Sequence, residues 1–78
     1  MDLKKAFGQA LKELRIEKGL TQEAFSEVSS RTYMSTLERG MKSPTIEKIN
    51  EICSVLEVHP LVLLKRCYEL HEQASSKS

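Results

Sequence analysis

Short hydrogen-bonding side chains surround one arginine near the middle of the chain, within TQEAFSEVSSRTYMSTLERG at residues 21–40. On a helical projection, one side of this segment carries Arg31, Thr32, Ser35 and Thr36. An arginine fork matches the N7 and O6 acceptors of guanine, and a threonine can meet a thymine methyl group. Serine and threonine are poor helix formers, so a helix selected only for stability would seldom carry them. The pattern indicates a surface that reads DNA bases, with an ordinary solvated helix as the alternative.

Two short helices joined by a tight turn are needed to present these side chains. Thr21 is suited to cap a helix over residues 22–28, which has apolar residues on one side. Ser30 and its neighbour then interrupt the apolar pattern, and a second helix over residues 31–39 precedes Gly40, a typical stop. This arrangement is how a protein presents one helix to DNA.

The rest of the chain predicts three further helices and no strand. Apolar residues at helical spacing indicate a helix over residues 2–18, in which Gly8 is a weak point. Similar spacing predicts a helix from residue 44 or 45 to residue 57, and Pro60 introduces another through Leu70. Because no segment alternates apolar and polar residues for long, we expect an all-α domain of five helices.

The size and charge of the chain limit its organisation and its partners. Its 78 residues suit one domain, expected over residues 1–72, followed by a frayed tail at residues 73–78. The formal net charge is only +1, with a balance of +2 over residues 1–45 and −1 over residues 46–78. Binding to double-stranded DNA must therefore come from a local patch, and tight nonspecific binding is not expected.

Other function classes find little support in the sequence. Cys53 and Cys67 form no CxxC pair, and His59 and His71 lack partners at metal-ligand spacing, so we expect neither a metal nor a cofactor. No catalytic constellation is present, and an enzyme is not expected. No apolar stretch of membrane-spanning length, no signal peptide and no small-molecule site is evident. The simplest expectation is a cytoplasmic protein with reduced thiols.

The last predicted helix is richer in apolar residues than one small core requires. Part of this surface is expected to pack against a second copy of the chain, and the alternative is a terminal helix that is buried entirely within its own chain. The residues predicted for such a dimer interface are Val62, Leu63, Arg66, Cys67 and Leu70.

Three motifs together resemble the Cro/C1-type helix-turn-helix family, also called the XRE family of regulators, over about residues 7–64. They are the Gly-Leu-Thr-Gln-Glu run that begins at residue 19, the Tyr-x-Ser-x-Leu-Glu-Arg-Gly run and the Pro-Thr start of the following helix. The resemblance implies a lambda-repressor-like fold and a dimer that binds a palindromic operator. The turn before residue 31 departs from the family pattern, because it is shorter by about two residues and lacks a glycine. A turn that is tighter or differently angled is expected, and the register of the base contacts depends on it.

The resemblance also implies roles for individual residues. The early part of the recognition helix enters the major groove, which assigns base reading to Arg31, Thr32, Tyr33 and Thr36. Arg31 can instead clamp a phosphate, and Tyr33 can instead fill space or bind the backbone. The residues assigned to bind the DNA backbone are Gln22, Ser30, Ser35, Lys42, Ser43 and Thr45. Arg15 and Glu38 match a structural ion pair of the family.

A helical module that binds another protein is the main rival. The nearly neutral charge and the apolar last helix favour it. The small polar side chains beside Arg31 and Gln22 argue against it, since protein-binding surfaces usually offer larger apolar or aromatic anchors.

Overall fold

The regular structure of the described residues is helical. A computed structural model describes residues 2–76, and the side chains of residues 2–73. It contains four α-helices and one 3-10 helix: α1 (Leu3–Glu17), the 3-10 helix (Gln22–Phe25), α2 (Arg31–Glu38), α3 (Ile46–Leu56) and α4 (Pro60–Ser76). No strand occurs within the described residues, which confirms the all-α class.

The predicted count of five α-helices is wrong at the second helix. The segment expected to form a helix over residues 22–28 forms a 3-10 helix that ends at Phe25, and turns follow it. The eight residues 22–29 must supply both a helix and the connection to α2, which is too few for two α-helical turns and a turn. Thr21, the expected N-cap, has an extended backbone but makes no capping hydrogen bond through its side chain.

One apolar core joins all of these elements. Its largest fully buried side chains come from each of them: Leu11, Phe25, Met34, Leu37, Ile52, Cys53, Leu56, Leu63 and Cys67. Phe25 is the single buried residue of the 3-10 helix, and its full burial fixes this short element against the bundle. Burying an aromatic side chain of this size contributes about 2 to 3 kcal/mol.

α1 and α2 approach each other closely at Gly8. A Cβ atom on Gly8 would lie 2.4 Å from the Leu37 carbonyl oxygen and 2.7 Å from that of Glu38. Gly8 weakens helix propensity, as the sequence indicates, but only a residue without a side chain allows this contact. The last turn of α2 is therefore seated directly on α1.

Capping interactions fix where the helices begin and end. The side chains of Asp2, Ser30 and Thr45 accept hydrogen bonds from the backbone N–H groups three residues later and begin α1, α2 and α3. α1 and α2 end in left-handed glycines, Gly19 at φ 69° and Gly40 at φ 73°. α3 ends in the same way at Glu57, the one non-glycine residue with positive φ (58°) among those described.

α4 lies against α1, and this packing corrects two members of the predicted dimer interface. Leu63 and Cys67 are 0% and 2% exposed within a single chain, because their stripe of α4 faces the core. Val62 is exposed, and Leu70 packs partly against the core. Burial raises the pKa of the Cys67 thiol, and that of Cys53 likewise.

An ion-pair cluster also ties α4 to α1. Arg66, another predicted interface residue, donates from Nη1 to Glu17 at 2.7 Å and to Glu13 at 3.2 Å within its own chain. The hydrogen bond from Arg66 lowers the pKa of Glu17. α4 continues through Ser76, past the domain boundary predicted at residue 72, and residues 77–78 of the predicted tail lie outside the described residues. None of the helices within residues 2–76 is long and apolar enough to cross a membrane.

Candidate nucleic-acid interface

The polar side of α2 forms one continuous shallow depression. Its lining consists of Gln22, Arg31, Thr32, Ser35, Thr36 and Arg39, and we call this set the α2 polar face. Arg31 and Thr32 are exposed at its N-terminal end, while Ser35 and Thr36 are half-buried along its middle. Met34 and Leu37 hold the opposite side of α2 in the core. The structure thus brings together five of the residues predicted to contact DNA.

Two hydrogen bonds of hydroxyl side chains stabilise the helix that presents the α2 polar face. Ser30 accepts from the Tyr33 backbone N–H at 3.0 Å, which begins α2 immediately before Arg31. The Thr36 hydroxyl donates to the Thr32 carbonyl at 2.8 Å, so its proton is used within α2. Thr36 is therefore left with its methyl group and a hydroxyl lone pair for contacts outside the helix.

A largely buried ion pair anchors α2 to the end of α1. Arg15 and Glu38, which the resemblance assigns to a structural pair, meet through Nε–Oε2 at 2.6 Å and Nη2–Oε1 at 3.0 Å. Their side chains are 13% and 4% exposed. The hydrogen bond to Glu38 raises the pKa of Arg15 against the opposing effect of burial. A third bond runs from Arg15 Nη1 to the Leu20 carbonyl at 2.9 Å, which fixes the start of the 3-10 helix.

Gln22 joins this network. Its amide nitrogen donates to Glu38 Oε1 at 3.2 Å, so the carboxylate that orients Arg15 also orients Gln22. The half-buried Gln22 side chain keeps its carbonyl oxygen and a second amide hydrogen for other partners. Its place on the rim of the α2 polar face is compatible with the predicted contact to the DNA backbone.

Tyr33 sits apart from the α2 polar face. Its half-buried ring packs against the core, with Lys42 Nζ 5.9 Å and Lys48 Nζ 5.8 Å from the ring centroid. Lys48 also donates to the Val28 carbonyl, which ties α3 to the turn before α2. Tyr33 was assigned base reading, with space filling or binding of the backbone as alternatives, and space filling agrees with this position. The two ammonium groups make it a cation–π site as well.

Three more residues that are predicted to bind the DNA backbone lie on the segment between α2 and α3. Lys42 and Ser43 are exposed there, and the exposed Thr45 caps α3 by accepting from the Lys48 N–H at 3.0 Å. A capping hydroxyl used as an acceptor retains its own proton for donation to a phosphate oxygen. These residues are outside the depression that the α2 polar face lines.

Two members of this region were missed by the sequence-based assignment. Arg39 lies on the same side of α2 as Arg31 and Ser35, and its spacing of four residues from Ser35 was a signal that could have found it. Glu23 accepts a hydrogen bond from Arg31 Nη1 at 3.2 Å. Both side chains of that pair are largely exposed, at 70% and 72%, and no spacing rule predicts a contact across the turn.

The side chains of the α2 polar face suit recognition of a nucleic acid. Within the part of the chain that the structure describes, no three His, Cys, Asp or Glu side chains are grouped to hold a metal ion. The α2 polar face instead combines two arginines with neutral donors and acceptors. These are the groups that contact base edges and phosphates in protein–DNA interfaces.

Comparison with known proteins gives consistent results. The helix-turn-helix family model matches residues 11–63. The uncharacterized HTH-type transcriptional regulator y4dJ of Sinorhizobium fredii is 41% identical over 66 residues, which cover 82% of this chain and 86% of the relative. Among solved structures, the clp gene regulator ClgR of Corynebacterium glutamicum superposes with a TM-score of 0.87 at 30% identity, covering 99% of this chain and 85% of that one. The restriction-modification controller protein C.AhdI of Aeromonas hydrophila gives a TM-score of 0.71 at 34% identity, with coverages of 76% and 92%. The chain therefore belongs to the Cro/C1-type (XRE) family of helix-turn-helix transcriptional regulators.

Proposed function

We propose that this protein is a sequence-specific DNA-binding regulator of transcription that inserts α2 into the major groove. The α2 polar face carries this proposal: it opens to solvent, lies on a helix packed against α1, and gathers the exposed Arg31, Thr32 and Arg39 around small hydroxyl side chains. An α-helix with its side chains is about 10 to 12 Å in diameter, and the major groove of B-DNA, about 12 Å wide, admits such a helix.

Arg31 and Lys42 are assigned different tasks in this complex. Arg31, at the first turn of α2, reads a guanine through its two-pronged guanidinium, and Lys42, on the segment after α2, binds a phosphate. Arg31→Ala is expected to weaken binding by about 1 to 3 kcal/mol and to relax preference at one base pair. Lys42→Ala should weaken binding to all sequences alike, and identical behaviour of the two variants on every site would contradict this division.

We also propose that the protein acts as a homodimer on a palindromic operator, with two α2 helices about one helical turn of DNA apart. The surface available for pairing is on α4, where Leu61, Val62 and Tyr68 are 67%, 46% and 49% exposed. Val62 belongs to the interface predicted from the sequence, while Leu61 and Tyr68 replace its buried members. Control of activity through the protein's own concentration and dimerisation fits this arrangement.

Selection of bound duplexes from a randomised pool tests the proposal. Wild type and an Arg31→Ala, Thr32→Ala variant are compared, with Lys12→Ala, an exposed residue of α1, as the control. We expect a two-fold symmetric site that wild type and the control enrich and the double variant loses. Absence of any enriched sequence from folded wild-type protein would contradict the proposal.

A protein-binding module is the second candidate, and one observation favours it. An apolar groove lies between α1, α3 and α4, and its lining includes Leu3, Phe7, Ile49, Leu64 and Tyr68. If the randomised pool yields nothing, this groove is where a protein partner is expected to bind.

A further inference from the structure

The Arg31 guanidinium is held by a residue outside α2. Glu23, in the 3-10 helix, accepts from Arg31 Nη1 at 3.2 Å, so the pair bridges the turn of the helix-turn-helix. Glu23 itself lines a second depression with Arg15, Thr21, Gln22 and Arg31, next to the α2 polar face. Arg31 and Gln22 belong to both depressions, which places Glu23 at the border of the proposed DNA surface.

The pairing leaves half of the guanidinium available. Arginine has five N–H donors in a planar fork, and a bidentate contact with guanine uses two of them along one edge. Glu23 occupies Nη1, while Nε and Nη2 of Arg31 have no partner among the described residues. The free Nε–Nη2 edge is sufficient for the N7 and O6 acceptors of one guanine.

We propose that Glu23 is a positioning residue that makes Arg31 select guanine over other contacts. This inference rests on the proposed DNA-binding function. By holding Nη1, the Glu23 carboxylate restricts the long Arg31 side chain to orientations in which its other edge is offered to a base. The pair persists when guanine is bound, whereas Arg31 must break it to swing toward a phosphate of an unrelated sequence.

The negative charge of Glu23 has a second effect, which is separate from its effect on the orientation of Arg31. A carboxylate at the border of a DNA surface repels phosphates of every sequence equally, and so lowers affinity without regard to base identity. The orienting effect, in contrast, concerns only the base pair that Arg31 contacts. Removal of Glu23 should therefore raise general affinity and lower discrimination at that base pair, two effects that one binding experiment separates.

The matched control for charge is Glu27. It is exposed, lies four residues after Glu23, and has no hydrogen-bond or ion-pair partner within the described part of the chain. Glu23→Gln and Glu27→Gln remove the same charge from neighbouring positions and change side-chain size very little. Only Glu23→Gln replaces the charged acceptor of Arg31 with a neutral amide oxygen, which weakens this hydrogen bond.

The experiment measures two affinities. The first is for the duplex that wild type enriches. The second is for the same duplex in which another base pair replaces the guanine pair that Arg31 reads. We expect Glu23→Gln to reduce the ratio of the two affinities by about two- to fivefold, the range that corresponds to an exposed ion pair. Glu27→Gln should leave this ratio unchanged while strengthening binding to both duplexes. In an Arg31→Ala background, Glu23→Gln should no longer alter the ratio.

Three results would overturn the inference, and they are distinguishable. Equal ratios for Glu23→Gln and Glu27→Gln would mean that Glu23 contributes charge alone. A reduced ratio that persists in the Arg31→Ala background would mean that Glu23 reads a base itself, as a carboxylate can by accepting from cytosine N4. A wild-type protein with no preference between any duplexes would refute the proposed function, and the positioning role with it.

Discussion

Gly8→Ala is expected to destabilise the protein although it replaces glycine with the best helix former. In an exposed helix interior this change would stabilise the fold by about 1 kcal/mol. At Gly8 the new methyl group would lie 2.4 Å from the Leu37 carbonyl oxygen and 2.7 Å from the Glu38 carbonyl oxygen. Both are backbone atoms of α2, so no side-chain rotation relieves the contact.

Relief of this contact requires α1 and α2 to separate. Insertion of an extra methyl group into a tight interface commonly costs about 1 to 3 kcal/mol, and contacts as short as these belong at the upper end. After subtraction of the gain in helix propensity, the expected net loss is about 2 kcal/mol. In a domain of this size that corresponds to a fall in Tm of about 10 °C.

Urea unfolding followed by circular dichroism measures this loss. Gly19→Ala is an informative comparison, because Gly19 has φ 69° but nothing within 4 Å of its added Cβ, so only backbone strain of about 1 kcal/mol is expected. Lys12→Ala, an exposed change on α1, should be nearly neutral. A Gly8→Ala protein as stable as wild type, or more stable, would refute the close approach of α1 and α2.

Three further changes test the scaffold. Glu57→Gly should raise Tm by about 4 °C in a thermal melt, because glycine adopts the left-handed φ of 58° without steric cost; an unchanged or lower Tm would contradict that cap. Glu38→Gln should lower the free energy of unfolding, measured by urea unfolding, by about 3 kcal/mol, because the buried Arg15 guanidinium loses its ion partner. A neutral effect would contradict the anchoring role. The lowered pKa of Glu17 means that its contact with Arg66 stabilises the fold above the unfolded-state pKa and is lost as the pH falls through the folded value. Glu17→Gln should therefore flatten the acid side of the stability–pH profile, and a profile identical to wild type would refute that contribution.

Much of the fold follows from local sequence signals. The starts of α2 and α3 follow from Ser30 and Thr45, whose hydroxyls are placed to cap, and the end of α2 follows from Gly40. The 3-10 helix was not predictable in this way. The spacing of its apolar residues also fits an α-helix. Which type of helix forms depends on how the short connection to α2 packs over the core.

Tertiary contacts account for the other differences. The apolar excess of α4 suggested a dimer interface, but α4 packs along α1 and takes Leu63 and Cys67 into the core. The role of Gly8 depends on the distance between two helices, which residue types alone do not encode. For the candidate site, side-chain chemistry identified most of the α2 polar face, whereas the contact between Glu23 and Arg31 depends on the turn geometry.

The measurement that tests DNA recognition by α2 most directly is an amide NMR titration of the ¹⁵N-labelled protein with the enriched duplex. We predict that the largest shifts fall on residues 21–23, 30–39 and 41–45, which carry the α2 polar face and the proposed phosphate contacts. A duplex of the same length with a scrambled sequence should perturb residues 41–45 far more than residues 31–36. Shifts from the enriched duplex that avoid α2 and concentrate on α1 or α4 would contradict recognition through the α2 polar face.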